Sequence, residues 1–372
     1  MILSHLEIIA FKSIATASCD FAPKLNCFFG GNGMGKTNLL DAIHYLSMVR
    51  SHLNTIDRMA IRHGSSESIL TADYQTDGPE EIDRIALRIR PDQGKLLSRN
   101  GRVYKRLSEH IGRYPLVIIS PQDYKLIRGG SNERRAWLDR LLSQHDTLYL
   151  DQLIRYERAL QQRNSLLKGD RSDPILLSIG EEQLAHFGVQ IAQKRRQFVV
   201  DFIPTFNRIY QEICNSEEES ISLHYITPTD NDPEIYMEHL RQQREVDQLS
   251  GHTAYGVHKD DLEMLLGENL MRKIGSEGQN KTYLTALKFT EYSLLAQRLQ
   301  CRPILLLDDL FDKLDSERVE RIIHIVSRPL FGQIFITDTN RKYLDDIIEA
   351  QNESFHLYAV RQGEISLQAT SI

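Results

Sequence analysis

Gly30-Gly31-Asn32-Gly33-Met34-Gly35-Lys36-Thr37 decides how this chain is read, because it fits the pattern G-x-x-x-x-G-K-[ST]. Glycines let a backbone curl around a phosphate with its N–H groups pointing inward. Lys36 can reach the β- and γ-phosphates, and the Thr37 hydroxyl can take a place on Mg²⁺. The candidate nucleotide-binding residues are Gly30, Gly31, Asn32, Gly33, Met34, Gly35, Lys36, Thr37 and Asn38. A helix starting at the same point adds the positive end of its dipole. At average residue usage a chain of this length matches the pattern by chance roughly 1% of the time. A plain glycine turn is therefore the weaker reading.

The flanks supply the context the loop needs. Leu25, Cys27 and Phe29 alternate with Lys24, Asn26 and Phe28, which predicts a half-buried strand. Leu39, Ile43 and Leu46 recur at helical spacing, with no Gly or Pro until well past Arg50. Strand, glycine loop and helix in that order imply ATP or GTP binding. No base-reading motif separates the two nucleotides.

The 372 residues allow one large or two smaller domains. With 41% hydrophobic and 26% charged residues the composition is ordinarily globular. No apolar run is long enough to cross a membrane. The start, Met1 to Phe11, lacks a basic flank and is broken by Ser4, His5 and Glu7, so a signal peptide is not expected. Cys19, Cys27, Cys214 and Cys301 show neither close pairing nor metal spacing and suit a reducing cytoplasm.

The formal net charge, 45 basic against 51 acidic residues, is −6, which does not by itself announce a nucleic-acid partner. Its distribution says more. Arg84, Arg88, Arg90, Lys95, Arg99, Arg102, Lys105 and Arg106 face one acidic neighbour in sequence, Asp92. Turns at Pro91-Asp92-Gln93-Gly94 and Asn100-Gly101 predict hairpins there. A basic hairpin sheet can track a phosphate backbone. It can equally be a solvated face whose charges discourage edge pairing.

Residues 1–125 read as strands plus the loop helix, and from Asn132 the texture turns to long helices. Leu153, Leu160 and Leu167, then Leu177, Leu184, Ile191 and Phe198, are each seven apart, with a break from Gly169 to Pro174. This spacing predicts an antiparallel helical pair, either projecting as an arm or packed flat. Ser216 to Gln248 reads as a polar, acidic connector with a short helix. Strands resume at Ala254. The expected organisation is a head of 1–125 plus 254–372, with 126–253 inserted as a helical second domain and connector.

Ile304-Leu305-Leu306-Leu307-Asp308-Asp309 is an apolar run ending in two carboxylates, as a strand buried on both faces would be. Ligands of α/β proteins lie at such C-terminal ends. Asp308 is the candidate Mg²⁺ holder with Thr37, and Asp309 the candidate that positions or deprotonates an attacking water. Upstream, Gly275-Ser276-Glu277-Gly278-Gln279 opens a helical run carrying Leu284, Leu287, Leu294 and Leu295. Such a turn is a second phosphate-binding helix end.

The order of this turn, its helix, Asp308-Asp309 and Leu314-Asp315 resembles the ABC-type ATPases of the SMC and Rad50 group. There a signature turn of one subunit, here Ser276, Gly278 and Gln279, closes in trans over ATP held by the other. The chain is similar in particular to the RecF family of bacterial recombination mediators. The segments that carry this likeness are Asn26 to Leu40, Gly101 to Leu107, Ser120-Pro121-Gln122-Asp123, Gly130 to Arg135, His258 to Leu262, the signature, and Pro303 to Asp315. The likeness implies an α/β, P-loop ABC-type ATPase head, Rad50-like, with an inserted helical domain. It implies ATP and Mg²⁺ as cofactors, Gln122 as a Q-loop residue, and an ATP-dependent homodimer on gapped or single-strand/double-strand junction DNA. It implies RecR and RecO as partners in loading the recombinase, with roles in replication restart and the SOS response.

Two positions depart from the wider ABC pattern. Asp309 stands where many members carry Glu, and Asp338 follows the Gln333 to Thr337 strand where a switch His is usual. Both imply slow hydrolysis, and the resemblance implies a DNA-dependent ATPase whose hydrolysis serves as a conformational switch. Lys12 and Asp41 replace an expected Arg and Glu with charge kept. His258-Lys259-Asp260-Asp261 lacks a second ligand at fixed spacing and is expected to be structural or to support the signature. Trp137 reads as core, Tyr104 as a weak base-stacking candidate, and Arg134 and Arg135 as either helix caps or phosphate contacts. The competing functions are a P-loop kinase acting on a small molecule and an ABC subunit of a membrane transporter.

Overall fold

The computed structural model describes residues 1–54, 56–76, 82–169, 173–215, 219–311, 314–351 and 353–371. They fall into two compact units. One comprises Met1–Tyr124, Glu212–Cys214 and Glu277–Ile372; the other comprises Lys125–Gln211 and Asn215–Ser276.

The first unit holds two six-stranded sheets. In one, the order is Leu116–Ile119, Ile304–Asp308, Ile334–Asp338, Leu25–Phe29, Phe355–Arg361, Glu364–Ser371. Its first five strands run parallel and Glu364–Ser371 closes the edge antiparallel. Leu25–Phe29 is central, and its first four residues are buried. The expectation of a half-buried strand is therefore corrected: with a parallel neighbour on each side and both faces covered, there is no wet face for alternation to mark. Asn26, fully buried, satisfies its amide by accepting from Ala22 N–H and donating to Ala22 O, both at 2.9 Å.

The other sheet is antiparallel, in the order Ile14–Asp20, Ile2–Phe11, Ser68–Gln75, Ile82–Arg90, Gly94–Arg99, Arg102–Val103. Between Arg99 and Arg102 the chain reverses through Asn100 and Gly101, with φ of 51° and 77°. Two positive φ values are what a two-residue hairpin turn needs, and Asn-Gly supplies them with little strain. The helix Lys36–Met48 shares one apolar cluster with both sheets. Its Leu39, Leu40, Ile43 and Leu46 pack with Leu6, Leu70 and Leu87 on one side and with Phe28, Leu306 and Phe335 on the other. Each such side chain, fully buried, contributes about 1.5–3 kcal/mol.

The second unit is built on the helices Ser131–His145, Thr147–Leu167 and Pro174–Cys214, the last entering the first unit at Glu212. It also contains a three-stranded sheet, Asn269–Leu270, Asp261–Leu266, Ile221–Ile226. This corrects the expected boundary at 253/254. Asp261–Leu266 pairs with Ile221–Ile226 rather than with either larger sheet, so residues up to Ser276 belong here. Where a connector was expected stand that strand and the helices Pro233–Gln242 and Arg244–Ser250; residues 216–218 lie outside the described residues.

The seven-residue spacing describes only one partner of the helical pair. Leu177, Leu184, Ile191 and Phe198 are all buried, but Leu153 and Leu160 are only half-buried. The inward face of Thr147–Leu167 is Tyr149, Gln152, Tyr156, Ala159, Arg163 and Leu167. Polar residues occupy it because they are matched. Arg163, fully buried, donates to Asp247 at 2.6 Å, Thr253 at 2.8 Å and Glu181 at 3.2 Å. A hydrophobicity pattern cannot reveal a polar core.

Candidate nucleotide site

The glycine loop leaves the central strand at Gly30 and enters the helix at Lys36. Two of its glycines are required by geometry. A Cβ on Gly30 would lie 2.3 Å from the Val360 carbonyl oxygen of the neighbouring strand. Gly35 has φ 110°, a conformation L side chains rarely adopt, and caps the helix. The loop is held from outside by Gly363 N–H, which donates to Met34 O at 2.8 Å, and by Asn38 Nδ2, which donates to Ser13 Oγ at 2.7 Å.

Lys36 is buried, and its Nζ donates to Gly30 O at 2.8 Å and Gly31 O at 3.2 Å. That keeps the ammonium inside the curl of the loop, while Gly31, Asn32 and Gly33 are exposed. Thr37 Oγ1 donates to Asp308 Oδ1 at 3.0 Å across 271 positions of sequence. The fold achieves this because Ile304–Asp308 lies two strands from Leu25–Phe29, with Ile334–Asp338 between them.

Thr337, the next-to-last residue of that middle strand, was not singled out by any pattern in the sequence. Thr337 is fully buried, and its hydroxyl donates to Asp308 Oδ1 at 2.6 Å. The same residue receives the Asp309 N–H on its carbonyl oxygen at 3.2 Å and on Oγ1 at 3.3 Å. Asp309 sits at φ 45°, in the left-handed region that Asp tolerates better than most residues. Its one available signal was a hydroxyl ending the apolar run Ile334-Phe335-Ile336, parallel to the run that ends in Asp308.

Burial pushes the Asp308 carboxyl above the ordinary carboxylate range, and the neighbouring Asp309 charge adds to this; the hydroxyls of Thr337 and Thr37 and the Lys36 ammonium oppose it. Asp338, at the end of the middle strand, is also raised by burial and by Asp309, against a hydrogen bond it accepts from Asn340 N–H. Asp308 and Asp338 thus stand at the C-terminal ends of adjacent strands, each within electrostatic reach of Asp309 and of the Lys36 ammonium. A multivalent cation and a phosphate chain would balance such a set.

Gln122 lies exposed, three residues past the strand Leu116–Ile119 that borders Ile304–Asp308. Its turn is fixed by a capping box between Ser120 and Asp123. The helix Glu277–Leu299 starts directly after Ser276, which is exposed, with Gly278 and Gln279 in its first turn. A Cβ on Gly278 would lie 2.8 Å from the Arg318 guanidinium.

The eight basic residues do not form one surface. In Ile82–Arg90 the odd positions are buried, so Arg84, Arg88 and Arg90 share the outward face. Register places Lys95 opposite Ile89 and Arg99 opposite Ile85, on the inward-facing side. There Lys95 pairs with Asp57 at 3.0 Å and Arg99 with Asp83 at 2.9 Å. Arg90 pairs with Glu67 at 2.6 Å, while Arg102, Lys105 and Arg106 are exposed where the hairpin ends.

The other candidates have internal duties. Arg134 makes two bonds to Asp261, at 2.7 and 3.0 Å, and Arg195 bonds Asp260 at 2.6 Å. His258 Nδ1 accepts from Tyr156 at 2.7 Å while Nε2–H donates to Thr253 O at 2.9 Å. Arg135 donates to Asp260 O. Trp137 packs edge-on to Phe202, with ring centres 5.7 Å apart. Tyr104 is half-buried, edge-on to His110, which turns its ring away from base stacking. Asp315 accepts from Arg318 N–H as the cap of Ser316–Val326; Asp312 and Lys313 between it and the Asp308 strand lie outside the described residues. Among the described residues, no helix is long and apolar enough to cross a membrane, and no three His, Cys, Asp or Glu side chains form a metal-holding group.

Residues 5–370 match the AAA domain family. The chain is 51% identical over 366 residues to the DNA replication and repair protein RecF of Porphyromonas gingivalis, covering 98% of this chain and 100% of that protein. It is 51% identical over 365 residues to RecF of Parabacteroides distasonis. Among solved structures it resembles the recombination mediator protein RecF bound to ATP, described as part of the RecFOR pathway. That likeness has a TM-score of 0.88 at 26% identity, over 99% of this chain and 98% of that one. An Smc head domain from Pyrococcus furiosus, with a TM-score of 0.59 at 17% identity, shares the fold. The head is therefore an SMC-type α/β fold, and the chain belongs to the RecF family of DNA replication and repair proteins.

Proposed function

We propose that the chain binds ATP and Mg²⁺, uses the bound nucleotide to close a homodimer on DNA, and hydrolyses it slowly to reopen. The observation that carries this reading is the Thr37–Asp308 contact at 3.0 Å, which sets a hydroxyl and a carboxylate side by side at the end of the loop. Both are hard oxygen ligands that suit Mg²⁺, with phosphate oxygens and water completing the shell. When bound, the ion offsets phosphate charge. The loop N–H groups and Lys36 hold the phosphates, and Asp309 orients the attacking water. Gln122, on the same sheet edge, is the residue assigned to sense the nucleotide.

Ser276 and Gly278, at an exposed helix start, suit the phosphate chain of a nucleotide on a second copy. ATP then belongs to a dimer interface, and mass action links its binding to dimerisation. Arg84, Arg88, Arg102, Lys105 and Arg106 are the proposed DNA contacts. Arg90, Lys95 and Arg99, committed to Glu67, Asp57 and Asp83, are withdrawn from that set. Gapped DNA and junctions are the proposed targets, and RecO and RecR the proposed partners in recombinase loading.

Sizing the protein with and without ATP, on and off gapped DNA, tests the proposal. ATP-dependent dimers and salt-sensitive DNA binding are expected. A monomer at saturating ATP that binds no gapped DNA at low salt would sink it, and phosphoryl transfer by that monomer to a small molecule would favour a kinase.

A further inference from the structure

The turn that presents Gln122 is tied to two other elements by buried polar contacts that catalysis does not require. On one side, His52 Nε2 lies 2.9 Å from Ser120 Oγ and 3.6 Å from Asp123 Oδ2, with both ionisable side chains almost wholly buried. His52 N–H in turn donates to Asp41 Oδ1 at 2.6 Å, and Asp41 stands on the helix that begins at Lys36. Asp41 also receives Lys12 Nζ at 2.5 Å and Ser51 Oγ at 2.7 Å. On the other side, Asp123 Oδ1 faces Lys288 Nζ at 3.4 Å, with side chains 1% and 2% exposed. Lys288 also pairs with Glu291 at 3.2 Å, and both lie on the helix Glu277–Leu299. The next residue, Tyr124, donates to the carbonyl of Glu277, the first residue of that helix, at 3.3 Å.

Asp123 and Tyr124 thus grip the signature helix at positions eleven residues apart, about 16 Å along its axis. A turn gripping a helix at two such points moves it as a rigid body. Loss of either grip would leave one end free. A buried ion pair adds little net stability over apolar packing.

We propose that Asp123 is a positioning residue that couples the Gln122 turn to the signature helix through Lys288, with His52 holding the turn to the nucleotide-loop helix. Nucleotide engaged at Gln122 is then reported to Ser276 and Gly278 through one buried charge pair. This rests on the nucleotide-site reading above and names the route by which that site controls the signature.

The experiment measures amide hydrogen exchange in residues 277–288 of the full chain, with and without ATP, for wild type, Asp123→Asn, Lys288→Gln and the double variant. ATP affinity is measured on the same samples. The wild type should show an ATP-induced change in exchange, and each single variant should reduce it by about tenfold while binding ATP within about threefold of wild type. The double variant should be no worse than the worse single, since both remove one interaction. His52→Ala should weaken the response and His52→Gln, which keeps a donor near Nε2, should restore it. If Asp123→Asn does not fold, Lys288→Gln, which leaves the capping box intact, carries the same expectation. An unchanged response in the variants, no response in the wild type, or additive losses would overturn the proposal. The exchange is run at protein concentrations below those at which ATP drives self-association, so the response is read within one chain, and failure of the wild type to dimerise at higher concentration would sink the proposed function alone.

Discussion

Thr337 and Thr37 donate to the same oxygen, Asp308 Oδ1, at 2.6 and 3.0 Å. One comes from the middle strand of the parallel sheet and the other from the first turn of the loop helix. Because Thr337 also receives the Asp309 N–H, it orients the Asp308 carboxylate and holds the Asp309 backbone beside it. Thr337→Val should keep the volume, remove a hydrogen bond to a charged group, and lower the ATPase rate by on the order of 10-fold. Thr337→Ser should recover most of it. Steady-state hydrolysis beside equilibrium ATP binding checks this, and a loss confined to binding would contradict it.

Lys36→Ala should weaken ATP binding by on the order of 100-fold, since it removes a buried ammonium aimed into the loop. Gly30→Ala should also abolish binding or fold poorly, because its methyl meets the Val360 carbonyl at 2.3 Å. Fluorescent-nucleotide titration together with a thermal melt separates the two causes.

Asp309→Asn should bind ATP normally and slow hydrolysis by roughly 10²-fold or more. The ATP dimer should then persist on DNA. Rapid dissociation of this variant from gapped DNA would count against Asp309 as the residue that orients water.

Ser276→Arg should leave ATP binding by a single chain intact and block ATP-dependent self-association. Light scattering across a protein titration reads this directly. Retained dimerisation would remove Ser276 from the interface.

Acidification should destabilise the fold through two histidines. Burial lowers His110 and His258 to about 4 each, opposed in both by a hydrogen bond that the ring makes to a backbone carbonyl, Leu46 O or Thr253 O. Unfolded, each ring takes up a proton near pH 6.5, so between that value and about 4 the unfolded chain binds more protons. The stabilisation is complete above pH 6.5 and lost as pH falls towards 4, by roughly 3 kcal/mol per ring. Urea midpoints at pH 7 and pH 5 should differ, and less so in His110→Gln.

The glycine loop between strand and helix was legible from Gly30 to Thr37 alone, because its tight curvature is set by local glycines. Asp308 was legible as the end of a fully buried apolar run. Thr337 was not, since a threonine near the end of a strand has no pattern of its own. The helical domain was legible as helices, but its inward face was not. Arg163 and Gln152 look like surface residues until Glu181, Asp247 and Gln190 arrive from elsewhere in the chain. The basic run misled for a related reason. Eight charges close in sequence alternate across a sheet with a period of two, so register sent Lys95 and Arg99 to the opposite side from Arg84 and Arg88.

By itself the sequence determined the loop chemistry, the order of strand, loop and helix, the two-carboxylate strand end and the Ser276 helix start. These depend on residues within a few positions of one another, where sterics and hydrogen bonding act directly. Only the tertiary structure decided that Thr37 meets Asp308 and that Thr337 bonds the Asp308 carboxylate and the Asp309 backbone. It also joined Asp123 to Lys288 across 165 residues and placed the strand Asp261–Leu266 in the second unit. Those outcomes follow from strand order and burial, which many distant apolar contacts fix together, and which no short stretch of sequence carries.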